Sequence, residues 1–322
     1  MRDYCIGIDL GGTFIKSALV SRDWQIVRDK QSPTPAGGGP DAVVAVMARD
    51  ALELLAEQGL SHGDIVGIGI GSPGPLDLKN GIVVGMPNIP GFTMYPLRDR
   101  VSALTKLPAV LENDANAAAL GEFLAGGGRD IENMVLLTLG TGVGSGIIIN
   151  RRLYRGSFSQ AGEVGHLLVE PEGELCGCGQ RGCLERYCSA TYLAQYAVRR
   201  IEAGQDGMLA QRLKAKGTIN SIDVNECRKA GDALAIETWN RALRFLAMGC
   251  VSLCRLLDPD RIVIGGGMAK AGVADLLDPL KAFFVEEHWK VAPVHTELVL
   301  AELGNNAGMI GAAGVAWEKH GQ

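Results

Sequence analysis

Residues 161–185, AGEVGHLLVEPEGELCGCGQRGCLE, bring three thiols, one imidazole and two separate carboxyl groups into one glycine-rich stretch. Three sulfurs and one nitrogen are a complete tetrahedral ligand set for zinc in a structural site. The glycines beside the cysteines allow the backbone to turn all three sulfurs toward one centre. The stretch therefore predicts structural zinc, while a cluster of buried thiols or a disulfide is the alternative. The zinc ligands would be His166, Cys176, Cys178 and Cys183.

Two acidic residues flank these ligands. Glu163 precedes the histidine by three residues, and Glu185 follows the last cysteine by two. A metal that fixes this loop would fix both carboxylates near it. Carboxylates and an imidazole offer hydrogen-bond partners to hydroxyl groups, which suits a polyol ligand.

Glycine turns follow two apolar, strand-like runs, and the two turns lie 130 residues apart, so that Gly12 corresponds to Gly142. Such turns either serve only the chain's own structure or expose backbone N–H groups that bind phosphate oxygens. The repeat suggests a duplicated α/β architecture, with chance similarity as the alternative. The candidate phosphate-binding residues are Gly11, Gly12 and Thr13 in the first turn and Thr141, Gly142 and Gly144 in the second. Asp9, at the end of the first strand, is placed to hold Mg²⁺.

Asp114 is the candidate general base. It lies where a short strand over 109–112 meets an alanine-rich helix over 115–125, and a helix N-terminus favours an ionised carboxylate. Phosphoryl transfer needs one carboxylate that orients the attacking hydroxyl and takes its proton. The alternative is that Asp114 only caps the helix. Asn113 beside it can hydrogen-bond to hydroxyls, which favours sugar binding for the pair.

The elements that must position these residues follow from periodicity. We expect hairpins over 5–20 and 133–150, a strand over 65–70, and a loop over 32–40. Helices are expected over 41–59, 190–203 and 236–257, and a strand over 261–264. The terminal helix, 305–317, has small residues at close spacing that permit tight packing on another backbone. GIGSPG at 69–74 resembles a dinucleotide fingerprint, but a turn follows it where a helix is required.

Composition limits the classes of function. The 322 residues suffice for about two domains, and the net charge of −5 with scattered Lys and Arg gives no basic surface for nucleic acid or acidic membranes. The short apolar run at the start and the lack of an 18-residue apolar stretch predict neither a signal peptide nor a membrane span. Eight cysteines are too few for a disulfide scaffold of this length, so we expect a cytoplasmic protein.

Six motifs together resemble, in order and spacing, the ROK family of bacterial sugar kinases. The similarity extends over about residues 4–317, and it is most specific where the cysteine motif accompanies E-x-G-H. None of the positions singled out above departs from the family pattern. The motifs are DLGGT at 9–13, ENDANAAALGE at 112–122, LGTGVGSG at 139–146, GEVGH at 162–166, CGCGQRGCLE at 176–185 and IGGG at 264–267.

The resemblance implies two actin-like (ribonuclease H-like) α/β domains with a cleft between them and a zinc-stapled loop in the larger one. The small domain would comprise 1–112 and 307–322, and the large domain 113–306. The family's transcriptional repressors carry a helix-turn-helix domain before the DLGGT strand, which here begins within the first ten residues, so we expect no such domain. The resemblance also implies a homodimer.

The same resemblance implies roles for matching residues. Asp114 would be the catalytic base, and the sugar hydroxyls would bind Asn113, Asp114, Glu163, His166 and Glu185. Phosphate and adenosine contacts would come from both glycine turns and from Gly265, Gly266 and Gly267. The segment around Asp114 is most similar to the glucokinase branch, which predicts ATP with Mg²⁺ as phosphate donor and glucose as acceptor. N-acetylmannosamine, N-acetylglucosamine, fructose or mannose is the alternative acceptor, and a sugar sensor without catalysis is the further alternative.

Overall fold

The computed structural model describes residues 2–86 and 89–321, which form two five-stranded sheets and one three-stranded sheet. Its strands are β1 (Tyr4–Leu10), β2 (Phe14–Ser21), β3 (Ile26–Pro33), β4 (Ile65–Ser72), β5 (Leu76–Asp77), β6 (Ile82–Gly85), β7 (Thr93–Tyr95), β8 (Ala109–Asn113), β9 (Met134–Leu139), β10 (Val143–Ile149), β11 (Arg152–Leu153), β12 (Arg261–Gly265) and β13 (Glu297–Leu300). Its α-helices are α1 (Gly39–Glu57), α2 (Leu97–Thr105), α3 (Asp114–Ala125), α4 (Glu185–Cys188), α5 (Ala190–Glu202), α6 (Met208–Lys216), α7 (Ser221–Lys229), α8 (Ala233–Leu257), α9 (Asp278–Glu287) and α10 (Ala307–His320).

The two large sheets have the same strand order. One runs β3-β2-β1-β4-β8 and the other β11-β10-β9-β12-β13. In each, a meander of three consecutive strands forms one side, and two later strands add in parallel beyond the first strand of the meander. This shared order confirms the predicted duplication and the α/β fold class, because coincidence between two glycine turns would not extend to the later strands.

Alternation along β1 separates two layers in the first sheet. Ile6 and Ile8 belong to the apolar core that includes Val43 and Met47 of α1. Cys5 belongs instead to the cluster on the α10 side, because successive side chains of a strand point to opposite faces. By the same alternation, Asp9 is placed on the face of the sheet that α10 covers.

Helix α10 packs tightly against both the sheet and α3, as its small residues predict. A Cβ at Gly7 would lie 1.8 Å from the carbonyl oxygen of Met309, and a Cβ at Gly69 would lie 1.7 Å from that of Ala312. On the α3 side, a Cβ at Gly311 would lie 1.6 Å from the carbonyl oxygen of Ala117. These glycines let backbone approach backbone directly.

Contacts divide the chain into two compact units: 1–130, 146–161 and 302–322 form unit 1, whereas 131–145 and 162–301 form unit 2. The division differs from the expected domain boundary at residue 112, because α3 packs on α10 and therefore groups with unit 1. The expected domain boundaries, 1–112 with 307–322 and 113–306, stay a prediction.

Several element bounds differ from those expected. The segment 32–40 is not a loop throughout, since β3 extends to Pro33 and α1 already begins at Gly39 with Pro40 in its first turn. Residues 207–232, whose polar sequence predicts no particular element, contain α6 and α7. No helix within residues 2–86 and 89–321 is both long and apolar enough to cross a membrane.

Candidate active site

The first glycine turn joins β1 to β2 and lies beside Asp9. Thr34 closes the turn from the neighbouring segment by donating its hydroxyl to the carbonyl oxygen of Gly11 at 2.7 Å. A Cβ at Gly11 would lie 2.9 Å from the carbonyl oxygen of Phe14, so the tight turn leaves no room for a side chain there. Gly12 and Thr13 are exposed at the tip, which makes their backbone accessible to a phosphate.

Asp9 and Asp114 come together because three parallel strand ends meet at one edge of the sheet. Asp9 of β1 is in register with Gly71 of β4, which is in register with Glu112 of β8. A Cβ at Gly71 would lie 3.7 Å from the Cα of Asp114. The missing side chain at Gly71 thus leaves space between the two carboxylates, at the sheet edge where ligands of α/β folds bind.

The cap of α3 is Asn113, not Asp114. The Oδ1 of Asn113 accepts hydrogen bonds from the backbone N–H groups of Ala115 and Asn116 at 3.0 and 3.1 Å. Because its oxygen is used for capping, only the amide NH₂ of Asn113 remains to contact a hydroxyl. Asp114 is therefore not required as the cap, which was its alternative role.

Burial dominates the electrostatics of both carboxylates. It raises the pKa of Asp114, although hydrogen bonds from the Ala115 backbone and the Asn113 side chain counteract this effect. It also raises the pKa of Asp9, where Lys16 acts in the opposite direction and the charge of Asp114 adds to the rise. Burial thus opposes the effect of the helix terminus, which favours the ionised carboxylate, and the role of Asp114 as the base stays a prediction.

Lys16 is a site residue that the sequence reasoning missed. Its Nζ lies 3.8 Å from Oδ2 of Asp9, and both side chains are about one-quarter exposed. The signal was available, because residues that are equidistant from a hairpin turn pair across the strands, and Asp9 pairs with Lys16. The ammonium of Lys16 is the kind of group that pairs with phosphate oxygens, which makes it a candidate site residue.

The four predicted metal ligands converge in unit 2. Their donor atoms all lie within 4.8 Å of one another. The Sγ of Cys176 is 3.8 Å from Nδ1 of His166, and the Sγ atoms of Cys178 and Cys183 are 3.6 Å apart. Ligands bonded to zinc at 2.3 Å in a tetrahedron are separated by about 3.8 Å, so the donor set fits zinc.

A compact turn produces this convergence. The backbone N–H of Cys176 donates to the carbonyl oxygen of Gln180 at 2.7 Å, and that of Gly179 donates to Cys176 at 3.0 Å. Gly179 has φ +91°, which favours glycine because other residues rarely adopt this conformation. Leu168 then pairs with Cys183 in an isolated antiparallel bridge that returns the last cysteine toward the histidine.

The two flanking glutamates differ in environment. Glu163 is exposed, whereas Glu185 is half-buried at the first position of α4, with its Oε1 3.1 Å from the Sγ of Cys176. The Oε2 of Glu185 lies 3.5 Å from the backbone nitrogen of Val143, beside the second glycine turn. Ser145, also missed from the sequence, fixes the segment after Glu163 by accepting the N–H of Val164 at 3.0 Å.

The second glycine turn and the glycine run after β12 are neighbours. Gly265 is in register with Thr138, and a Cβ at Gly266 would lie 2.5 Å from the backbone of Leu139. Thr141 in the turn borders an open cavity of about 540 Å³. The cavity is lined by Ala190, Thr191, Ala194, Gln195, Val198 and Arg199 of α5 and by Thr218, Ile219, Asn220 and Ser221 before and at the start of α7.

Sequence comparison assigns the chain to a family. Residues 5–319 match the family model described as ROK family. The chain belongs to the ROK family. It is 39% identical over 308 residues to a glucokinase of Halalkalibacterium halodurans, covering 95% of this chain and 92% of the relative. It is 33% identical over 309 residues to an N-acetylmannosamine kinase of Escherichia coli K12, covering 96% of each.

Solved structures of the ROK family share the fold over almost the whole chain. A ROK hexokinase from Thermus thermophilus has a TM-score of 0.87 at 32% identity and covers 98% of both chains. A ROK family glucokinase from Streptomyces griseus, solved in complex with glucose and AMPPNP, has a TM-score of 0.80 at 34% identity. It covers 98% of this chain and 99% of its own.

Proposed function

We propose that this ROK family chain is an ATP-dependent glucokinase that phosphorylates the 6-hydroxyl of glucose. The observation that carries the proposal is the half-buried carboxylate of Asp114, which has a raised pKa, is not needed as the helix cap, and lies next to Asp9 and a glycine turn. The glucokinases among its relatives and the glucose complex of the S. griseus enzyme support glucose as the acceptor.

Asp114 orients the attacking hydroxyl and accepts its proton, and the NH₂ of Asn113 donates to a sugar oxygen. A carboxylate whose pKa is raised by burial is a stronger base than an exposed one. The exposed backbone of Gly12 and Thr13 and the ammonium of Lys16 contact the phosphates. Asp9 would hold the Mg²⁺ that accompanies ATP, and this ion would supply positive charge to the phosphates.

Within unit 2, the nucleotide-binding role of Thr141, Gly142 and the glycine run 265–267 rests on the family resemblance and stays a prediction. The cavity beside Thr141 accepts the adenosine, since Ala194, Val198 and Ile219 offer apolar wall while Gln195 and Asn220 offer hydrogen-bonding groups. The assignment of Glu163, His166 and Glu185 to sugar hydroxyls rests on the family resemblance and stays a prediction.

Zinc in the His166, Cys176, Cys178 and Cys183 cluster would be structural, because four protein ligands leave no coordination position for substrate. We expect the protein to be cytoplasmic, because an ATP-consuming enzyme with eight free thiols suits a reducing compartment. The homodimer is expected from the family resemblance. These statements stay predictions.

ADP release from MgATP tests the proposal against its alternatives. The purified protein is assayed with glucose, mannose, fructose, N-acetylglucosamine and N-acetylmannosamine, and Asp114→Asn serves as the inactive control. We expect the highest kcat/KM for glucose. The similarity to N-acetylmannosamine kinase makes preference for an acetylated sugar the second candidate. No sugar-dependent ADP release by the wild-type protein would instead support a sensor and overturn the enzyme proposal.

A further inference from the structure

Glu112 is a fully buried carboxylate directly before the site, and the mechanism does not use it. It is the fourth residue of β8, is 1% exposed, and precedes the cap residue Asn113. A buried charge of this kind is costly unless it is paired and hydrogen-bonded. The hydrogen-bond partners of Glu112 therefore show which segments this carboxylate holds in place.

Both oxygens of Glu112 are engaged, and each has a different kind of partner. Oε1 accepts the backbone N–H of Asn113 at 2.9 Å and the side-chain amide of Asn116 at 3.0 Å. Oε2 accepts Nε–H of Arg155 at 2.6 Å, so the charge is paired. The first two partners bracket Asp114 in sequence, one on each side.

Arg155 connects this carboxylate to a third element of unit 1. Its Nη2 lies 3.7 Å from Oε2 of Glu318 in the last turns of α10, and its side chain is 31% exposed. Burial raises the pKa of Glu318, and Arg155 counteracts this rise. One guanidinium thus joins the segment after β11, the junction between β8 and α3, and the end of α10.

Such an ion pair contributes little net stability, since desolvation offsets most of the attraction. The pair matters more for geometry than for stability. Together with its hydrogen bonds, Glu112 fixes the peptide that enters α3 and the first helical turn, which carries Asp114. A general base must stay within hydrogen-bond reach of the hydroxyl, and small displacements of a reacting group reduce the rate strongly.

We propose that Glu112 and Arg155 are positioning residues for Asp114: their ion pair and the Oε1 hydrogen bonds hold the start of α3 in the orientation that catalysis requires. The inference rests on the proposed function of Asp114 as base. It predicts that loss of the pair lowers kcat while sugar and ATP binding change little.

The test uses Glu112→Gln, Arg155→Met and the double variant in the full chain. Glutamine at 112 keeps an oxygen for the Oε1 partners but cannot pair with the guanidinium. Arg155→Lys is the conservative variant that restores the charge. Asp50→Asn is the matched control, because Asp50 of α1 is also a buried carboxylate paired with an arginine, Arg49, at 2.6 Å, in the same unit.

We expect Glu112→Gln and Arg155→Met each to lower kcat by about tenfold or more, with KM for glucose changed less than about threefold. The double variant should have a higher melting temperature than either of these single variants, because it leaves no buried charge unpaired. Its kcat should stay low. Arg155→Lys should recover part of kcat. Asp50→Asn should lose melting temperature and keep kcat.

Two results would overturn the positioning role: kcat of Glu112→Gln within twofold of wild type, or losses of kcat that simply follow melting temperature across all variants including Asp50→Asn. Failure of the proposed function gives a different pattern, since the wild type would then show no sugar-dependent ADP release or Asp114→Asn would remain active. A direct readout is amide hydrogen exchange at residues 113–116, which should accelerate in Glu112→Gln and not in Asp50→Asn.

Discussion

At the scale of single residues, the protonation state of Asp114 controls the proposed reaction. Because burial raises its pKa above the ordinary value of 3.8, protonation and loss of the base begin at a higher pH than for an exposed aspartate. We therefore expect kcat to fall on the acid side at a higher pH than it would with an exposed aspartate as base. The measurement is kcat at saturating glucose and MgATP from pH 4.5 to 8, with melting temperature at each pH to exclude unfolding. A rate that stays constant down to the lowest pH at which the protein is folded would contradict a raised pKa in the base.

Asp114→Asn separates activity from stability. The variant should lower kcat by about 10²–10⁴-fold, the usual contribution of a general base. A carboxyl whose folded pKa is raised favours folding below its unfolded pKa and opposes it as pH rises through the folded pKa. At neutral pH the substitution should thus increase stability, with a melting temperature higher by about 1–3 °C. Calorimetry at pH 7 checks the sign, and a lowered melting temperature would mean that ionised Asp114 makes interactions that outweigh its burial.

Lys16 should matter for ATP rather than for glucose. Replacing it with methionine removes a cation beside Asp9 and the first turn, so we expect kcat/KM for ATP to fall by about tenfold or more with a smaller effect on KM for glucose. Lys30→Met is the matched control, since Lys30 lies on β3 of the same sheet with similar exposure and pairs with Glu53. Equal effects of the two substitutions on ATP kinetics would exclude a specific role for Lys16.

At the scale of elements, the interface between α10 and its neighbours depends on absent side chains. Gly311→Ala would place a methyl group where the carbonyl oxygen of Ala117 now lies, at 1.6 Å, so α3 and α10 must separate. Overpacking of this kind costs about 1–3 kcal/mol or more. Gly37→Ala is the control, because its Cβ would meet nothing within 4 Å. Denaturant unfolding should show a lower midpoint for the first variant only, and an unchanged midpoint in Gly311→Ala would show that the helices are less closely packed.

The same elements show which part of the structure the sequence could predict. Hairpins, α1, α8 and α10 follow from local periodicity and turn residues, and the cysteine spacing indicated the metal cluster. The small sheet of β5, β6 and β7 was missed because strands of two to four residues carry too short a pattern. Lys16, Glu112 and Arg155 were missed for another reason: their roles depend on register and on contacts between residues distant in sequence, such as the 43 positions that separate Glu112 from Arg155.

At the scale of the whole molecule, the two large sheets share a strand order but carry different candidate site residues. The first carries Asp9 and leads through β8 to Asp114, whereas the second carries Thr141 and the glycine run after β12. Both sheets have the same strand order and a glycine turn after the first strand, and the backbone N–H groups of such turns suit phosphate oxygens. Among the described residues, the candidate metal cluster lies in unit 2 alone, where a bound ion would add a constraint on the loop.

That constraint leads to the last prediction, which concerns zinc content and stability. Purified protein should contain about one zinc per chain, and Cys178→Ser should lose it, because three ligands and a hydroxyl bind zinc far more weakly than the complete set. Without the metal, the turn around Gly179 has only a few hydrogen bonds, so proteolysis within 170–182 should accelerate and the melting temperature should fall. Cys227→Ser is the control, since Cys227 is a buried thiol of α7 outside the cluster and its variant should retain zinc. Metal analysis that finds equal zinc in both variants would exclude the cluster as the binding site, whatever the change in stability.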